Sequence, residues 1–254
     1  MQVYLVASTT LSGGIEQFLR DRNLSWRRED SVCDAELTVE AAGRVCYMSF
    51  GDRQHRVSTH EYIANIISQG HDSVLEHANF TLLVDGISRA LSHQLVRHRA
   101  GFSYSQLSQQ YHDESEVEFM EPDLPETDPV LREQWDSWVG QTRAIYKALL
   151  ESADKLESTN SLNQKERLRL ARSMARLVLP NATYTTLVIT GNARAWRNFL
   201  RVRGDIAGDL EMRSYCVAAY RILHQAAPHL FDGFEVVDDS LGSHLQVKYF
   251  DAFQ

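Results

Sequence analysis

The stretch Arg97-His98-Arg99-Ala100-Gly101-Phe102-Ser103-Tyr104-Ser105-Gln106-Leu107-Ser108-Gln109-Gln110-Tyr111 sets a cluster of cations against a run of hydroxyls and amides. Guanidinium forks on either side of an imidazole suit phosphate, or the carbonyls of a flat ring. The short polar side chains behind them, with a single glycine, supply donors of the kind that line an anion site. The same triplet also fits a solvated basic turn that closes a helix, because Arg and His favour helix C-termini. On this stretch alone both readings stand.

The rest of the chain narrows them. A body of 254 residues with a net charge of −8 lacks the basic field that general nucleic-acid binding requires. A cationic site in an acidic body suits a small anionic ligand better than a polymer. Cys33, Cys46 and Cys216 are scattered with no CxxC spacing, so they read as thiols of a reducing compartment and not as a disulfide frame. No signal-peptide pattern opens the chain and no apolar run approaches membrane-spanning length. A cytoplasmic protein with neither nucleic-acid nor membrane partners is the expectation.

Periodicity predicts strands over 2–7, 78–87, 184–190 and 234–237, with helices over about 35–49, 58–69, 87–98, 130–157, 163–179, 192–203 and 208–226. Val117–Pro129, with three prolines and many acids, reads as a mobile loop. The fold class expected is α+β: one domain over residues 1–235, a mixed or antiparallel sheet packed by long helices, and a tail over 236–254.

Projecting the helices at 100° per residue isolates candidate chemistry. Gln94 and His98 interrupt the apolar face of Ile87, Ala90, Leu91 and Leu95. Arg203 falls in line with Trp196 and Phe199, so it must be paired, snorkelling or lining a cleft. Arg194, Asn198 and Arg201 share the opposite flank. Thr190-Gly191-Asn192 joins a strand to that helix and offers a capped N-terminus with free N–H groups. Lys165, Arg169, Arg172 and Arg176 form a basic stripe on the preceding helix, best read as a mainly solvated face.

Together these segments resemble the flavin-dependent thymidylate synthases. That family carries an Arg-His-Arg triplet followed by a serine, then an Arg–x–Val–Leu–Pro stretch, an Asn–x–Arg, and an Asn–Phe–Leu with a following arginine. Here they stand as Arg97-His98-Arg99 with Ser108, Arg176-Leu177-Val178-Leu179-Pro180, Asn192-Ala193-Arg194, and Asn198-Phe199-Leu200-Arg201-Val202-Arg203. An upstream block, Gly70-His71-Asp72-Ser73-Val74-Leu75-Glu76-His77, is similar to the family's Gly-His-x-Ser/Thr-x-x-Glu-His segment. The likeness runs from about residue 40 to 225.

The resemblance implies a homotetramer with FAD at subunit interfaces, active sites shared between subunits, and reductive methylation of carbon 5 of a uridine monophosphate. Methylenetetrahydrofolate would donate the carbon and NADPH the electrons. By the same resemblance Ser73, Arg97, His98, Arg99, Asn192, Arg194 and Asn198 would contact the flavin. Gln94, Arg97, Gln106, Leu107, Ser108, Gln109, Arg176 and Arg203 would surround the nucleotide, with Gln110 at the margin. Arg203 would act on the uracil, favouring loss of the proton between its two carbonyls.

Three departures accompany the match. Eight residues, where the family has seven, separate Arg99 from Ser108. Gln110 stands where the family usually has a phosphate-gripping arginine, and Ala207 where it commonly has a histidine. These changes point toward a shifted nucleotide preference, dUMP against UMP, as in the family's members from nucleoside-antibiotic pathways. Two rival readings are a non-catalytic flavin- or nucleotide-binding regulator and a zinc enzyme built on His71, His77, His93, His98 and Glu76. The second lacks any HExxH or CxxC spacing.

Overall fold

The structure, a computed structural model, describes residues 1–122, 128–153, 155 and 161–248. Strands β1 (Gln2–Ser8), β2 (Asn79–Ser88), β3 (Phe102–Gln106) and β4 (Tyr184–Asn192) form one sheet in the order β1-β2-β4-β3. Its pairs run antiparallel: the end of β1 meets the start of β2 at Thr9 N to Asn79 O, and the end of β4 meets the start of β3 at Asn192 N to Gly101 O. Thr81 and Thr190 join their hydroxyls at 2.9 Å, which matches the start of β2 with the end of β4. A hairpin of β5 (Phe234–Asp239) and β6 (Gly242–Val247) pairs Phe234 with Val247 and Asp239 with Gly242.

The helices are α1 (Gly14–Asp21), α2 (Asp34–Tyr47), α3 (Thr59–Ser68), α4 (Arg89–Leu95), α5 (Pro129–Ala153), α6 (Gln164–Ala175), α7 (Ala193–Arg203), α8 (Leu210–Ala226) and α9 (Pro228–Phe231). Several of their starts follow from side-chain caps. Ser58, Ser88, Asn192 and Asp209 each accept from a backbone N–H three residues on, and Asn163 forms a capping box with Glu166.

Two compact units make up the fold. The first comprises residues 1–84, 98–104 and 188 onward. Its core holds Phe80, Leu82, Val84, Ile189, Trp196, Phe199, Leu200, Tyr215 and Phe231, all buried. The second comprises Asp85–Arg97 and Ser105–Leu187, with Ile87, Leu91, Leu95, Tyr146, Ala171, Ala175 and Leu187 inside. Each is discontinuous, and unit boundaries fall within β2, β3 and β4.

The α+β class and the four expected strands are present, and several limits move. The helix expected over 87–98 begins at Arg89, because Ser88 is still in β2, and ends at Leu95. His98 is therefore in a turn and not on a helix face. The helix expected to reach 179 stops at Ala175 and tightens into a 3₁₀ turn over Arg176–Val178 before Pro180. Alternating Phe102-Ser103-Tyr104-Ser105-Gln106 is a strand, although no strand was expected there.

The expected loop Val117–Pro129 begins as pinned backbone, with Phe119 bridged to Thr183 and Met120 N bonded to Ala182 O. Its middle, 123–127, lies outside the described residues, as do 154, 156 and 157 of the helix expected over 130–157. The tail boundary expected at 235 falls inside β5, and residues 236–247 belong to the hairpin, in which His244 and Leu245 are buried. Residues 249–254 of that tail lie outside the described residues.

Candidate active site

In the first unit the turn after Arg97 carries His98 to the end of α7. Arg203 Nε donates to His98 Nε2 at 3.1 Å, and the His98 ring meets Phe199 edge-on at 4.9 Å between centroids. Burial and the neighbouring Arg203 charge hold His98 below its ordinary imidazole value, so the neutral ring is the favoured form. No hydrogen bond to an Arg203 Nη atom occurs among the described residues, and the guanidinium is half-buried. The arginine that projection placed on an apolar side is thus paired through one nitrogen.

A groove of about 890 Å³ opens on the same unit, lined by Asp72, Glu76, Gly101, Asn192, Arg194, Arg197, Asn198, Arg201 and Lys248 among others. It lies at the N-terminal end of α7, whose free N–H groups favour an anion. Asn192 caps that end by accepting from Ala195 N at 2.8 Å. Gly101 has φ +76°, and a Cβ there would lie 2.8 Å from both Ala195 Cβ and Asn192 Nδ2. Only a glycine lets the turn after Arg99 press this closely on the cap.

Within the groove Arg194 pairs with Glu76 at 2.5 Å, and Arg201 donates to Asn198 Oδ1 at 2.8 Å. Arg197 is committed to the fold, donating to Leu230 O and Asp232 O. Arg99 and Ser73 are exposed, the latter on a 3₁₀ turn over Asp72–His77.

The second unit gathers the other candidates. Gln106 Nε2 donates to Ser92 Oγ at 3.0 Å and to Thr185 Oγ1 at 3.2 Å. Leu107 N pairs with Thr186 O, which continues the sheet edge past β3. Ser108 then closes a turn: its hydroxyl accepts from Gln110 N and its carbonyl from Tyr111 N and His112 N. Gln109 is buried; Gln94, Gln110 and Arg176 are half-buried and Arg97 is exposed.

Sequence reasoning missed Arg89. Its guanidinium reaches Gln109 Oε1 at 3.2 Å, Thr185 Oγ1 at 3.3 Å and Leu107 O at 3.4 Å. Burial first, and then the like charge of Arg176, pull it below the ordinary arginine value, while Glu114 opposes them. A signal was available: an arginine in the first turn of α4 opposes the helix dipole, and such a cost calls for another role. Of the stripe on α6, Lys165 and Arg169 are solvent-exposed, while Arg172 donates to Tyr111 O at 2.7 Å.

Residues 30–229 match the family described as "Thymidylate synthase complementing protein". The chain is 38% identical over 244 residues to the flavin-dependent thymidylate synthase of Corynebacterium diphtheriae, covering 96% of this chain and 93% of that one. It is 39% identical over 251 residues to that of Mycobacteroides abscessus, covering 98% and 95%. With the protein of the same name from Mycolicibacterium vanbaalenii it shares 44% over 202 residues, covering 78% and 79%. The chain belongs to the flavin-dependent thymidylate synthase family. The chain is an enzyme of that family. Among the described residues no cluster of three His, Cys, Asp or Glu side chains has the arrangement of a metal site, and no helix is long and apolar enough to cross a membrane.

Proposed function

We propose that this chain is an FAD-dependent enzyme that methylates carbon 5 of a uridine 5′-monophosphate, with methylenetetrahydrofolate as carbon donor and NADPH as reductant. The observation that carries this reading is Arg203, bonded through Nε to His98 and open at its Nη groups. A fixed guanidinium facing a uracil carbonyl stabilises the negative charge that develops as the ring proton between the carbonyls leaves. Carbon 5 thereby gains electron density without a covalent nucleophile. Cys216, buried with its thiol pushed far above the ordinary value by desolvation, is unsuited to that role.

The groove beside α7 fits a flavin nucleotide in size and in donors. Its volume is within the range of small-molecule sites, and Asn192, Arg194, Asn198 and the helix N-terminus supply amide and cationic donors for a diphosphate or for ring carbonyls. When bound, the flavin would relay two electrons from NADPH to the product carbon. Ser73, Arg97, His98 and Arg99 complete the contacts we assign to it, in a homotetramer. Gln94, Gln106, Leu107, Ser108, Gln109, Gln110 and Arg176 are assigned to the nucleotide. We assign its phosphate to Arg89 and Arg176, which supply cationic charge beside the Ser108 turn while Gln110 supplies none.

The test is turnover of dUMP and UMP by the yellow, FAD-loaded protein, with methylated product identified by mass. Arg203→Ala is expected to retain flavin and lose turnover on the order of a hundredfold or more. A flavin that NADPH leaves oxidised would instead mark a binding protein without chemistry. Product from both nucleotides is the outcome expected from Gln110; complete failure on UMP restricts the substrate to dUMP.

A further inference from the structure

The end of α7 is fastened from a distance. Arg213 on α8 is 3% exposed, and the two protons of its Nη2 are shared among Asp239 Oδ2 at 2.8 Å, Gly242 O at 3.0 Å and His244 Nδ1 at 2.7 Å. All three acceptors belong to the β5–β6 hairpin. An arginine has no lone pair to offer, so His244 Nδ1 must be the acceptor of that bond. In the neutral ring the proton then sits on Nε2, which faces Asp205 Oδ1 at 3.3 Å.

Asp205 is the second residue beyond Arg203. The residue between them is held too: Leu245 N donates to Gly204 O at 3.0 Å, and a Cβ at Gly204 would lie 2.7 Å from Leu245 Cβ. His244 and Leu245, neighbours on β6, thus hold the two residues that follow the arginine of the site. Among the described residues the side chain of Arg203 has one hydrogen bond, to His98, so its direction also depends on where the helix end lies.

We propose that His244 and Asp205 are positioning residues for Arg203, forming with Arg213 a chain of polar contacts that fixes the end of α7 against the hairpin. This rests on the role proposed above for Arg203. Asp205 is the informative member, because its side chain is 65% exposed and its loss leaves the contacts of Arg213 Nη2 with Asp239 and Gly242 in place. A misplacement of about 1 Å in a catalytic group costs on the order of a hundredfold in rate.

The experiment compares Asp205→Ala, Asp205→Asn, His244→Asn and the double variant Asp205→Ala/His244→Asn in the FAD-loaded protein, with Arg203→Ala alongside. His244→Asn retains an oxygen acceptor near the Nδ1 position for Arg213 but does not reach Asp205. Asp205→Ala is expected to lower kcat on the order of tenfold or more with KM for the nucleotide little changed, flavin retained, and Tm within about 2 °C. Asp205→Asn, which keeps an acceptor for Nε2–H, is expected to recover most of that rate. The double variant is expected to be no slower than the worse single, since either change breaks the same link.

Unchanged kcat in Asp205→Ala beside an inactive Arg203→Ala would overturn the fastening and leave the Arg203 reading intact. Additive losses in the double variant would also overturn it. Normal turnover by Arg203→Ala would remove the role of Arg203 itself, and the fastening with it.

Discussion

His98 and Arg203 are joined Nε2 to Nε at 3.1 Å, and since the arginine can only donate, the imidazole must be unprotonated at that nitrogen. The bond makes the direction of the Arg203 guanidinium depend on the protonation state of a histidine.

A pH dependence follows, with a definite sign. Burial, then Arg203, places the folded His98 below the ordinary imidazole value. As pH falls below about 6.5 the unfolded chain takes up the proton before the folded one, so stability drops between that value and the lower folded one. As pH falls through the lower folded value the ring takes up its proton and the bond to Arg203 breaks. kcat is expected to show an acidic limb with an apparent pKa below 6.5, and His98→Gln, whose amide oxygen can accept from Arg203, is expected to lose that limb. His98→Leu removes the acceptor and should lower kcat about tenfold to a hundredfold, the worth of a hydrogen bond to a charged group. A pH–rate profile of His98→Gln indistinguishable from wild type would reject the link.

Stability of the first unit depends on a buried ion pair. Glu40 Oε1 accepts from Arg44 Nε at 2.6 Å and Trp26 Nε1 at 3.0 Å, while Oε2 accepts from Thr59 Oγ1 at 2.6 Å. Arg44 also donates from Nη1 to Ser49 O and from Nη2 to Arg56 O. Both side chains are essentially inaccessible, at 1% and 0%. Removing one partner strands the other, so Glu40→Ala is expected to cost about 3–5 kcal/mol. Guanidinium or urea unfolding of the flavin-loaded protein measures it, and a loss below about 1 kcal/mol would show that water or another group compensates.

Much of this arrangement was legible beforehand. Apolar projection of α7 placed Arg203 on the side of Trp196 and Phe199, and the structure pairs it there. Asn192 reads as a cap from its type alone, because a short acceptor before an amphipathic run satisfies a free N–H. Three features were hidden for separate physical reasons. β3 was masked by its serines, although Phe102 and Tyr104 alternate with them at strand period. The hairpin was read as a tail because β6 holds few apolar residues, and its burial depends on Arg213 far away in sequence. The pairing of Arg89 with Gln109 is a tertiary contact that no local period encodes.

Arg89 gives a prediction about nucleotide binding. It reaches three acceptors around the Ser108 turn, beside Gln110, which carries no charge. Arg89→Ala is expected to raise KM for the uridylate about tenfold to a hundredfold with little change in flavin content. Gln110→Arg is expected to lower KM by adding a second charged donor, and to restore part of the loss in Arg89→Ala. Steady-state kinetics and equilibrium binding of dUMP and UMP separate these effects. An unchanged KM in Arg89→Ala would assign this arginine to the fold alone.

Gly101 predicts where flavin retention is most sensitive to one carbon atom. Its φ of +76° is disfavoured for any side chain, and a Cβ would sit 2.8 Å from the Asn192 amide and from Ala195 Cβ. Gly101→Ala must push the turn away from the N-terminus of α7 or displace the Asn192 cap from Ala195 N. Loss of such a cap costs about 1 kcal/mol, and the left-handed strain adds about as much. The groove beside it is lined by both Gly101 and Asn192, so its donors move with the turn. Gly101→Ala is expected to fold, to lower Tm by several degrees, and to be purified with markedly less flavin than wild type. The absorbance ratio of flavin to protein reads that content directly, and a fully loaded Gly101→Ala protein would separate this turn from the flavin site.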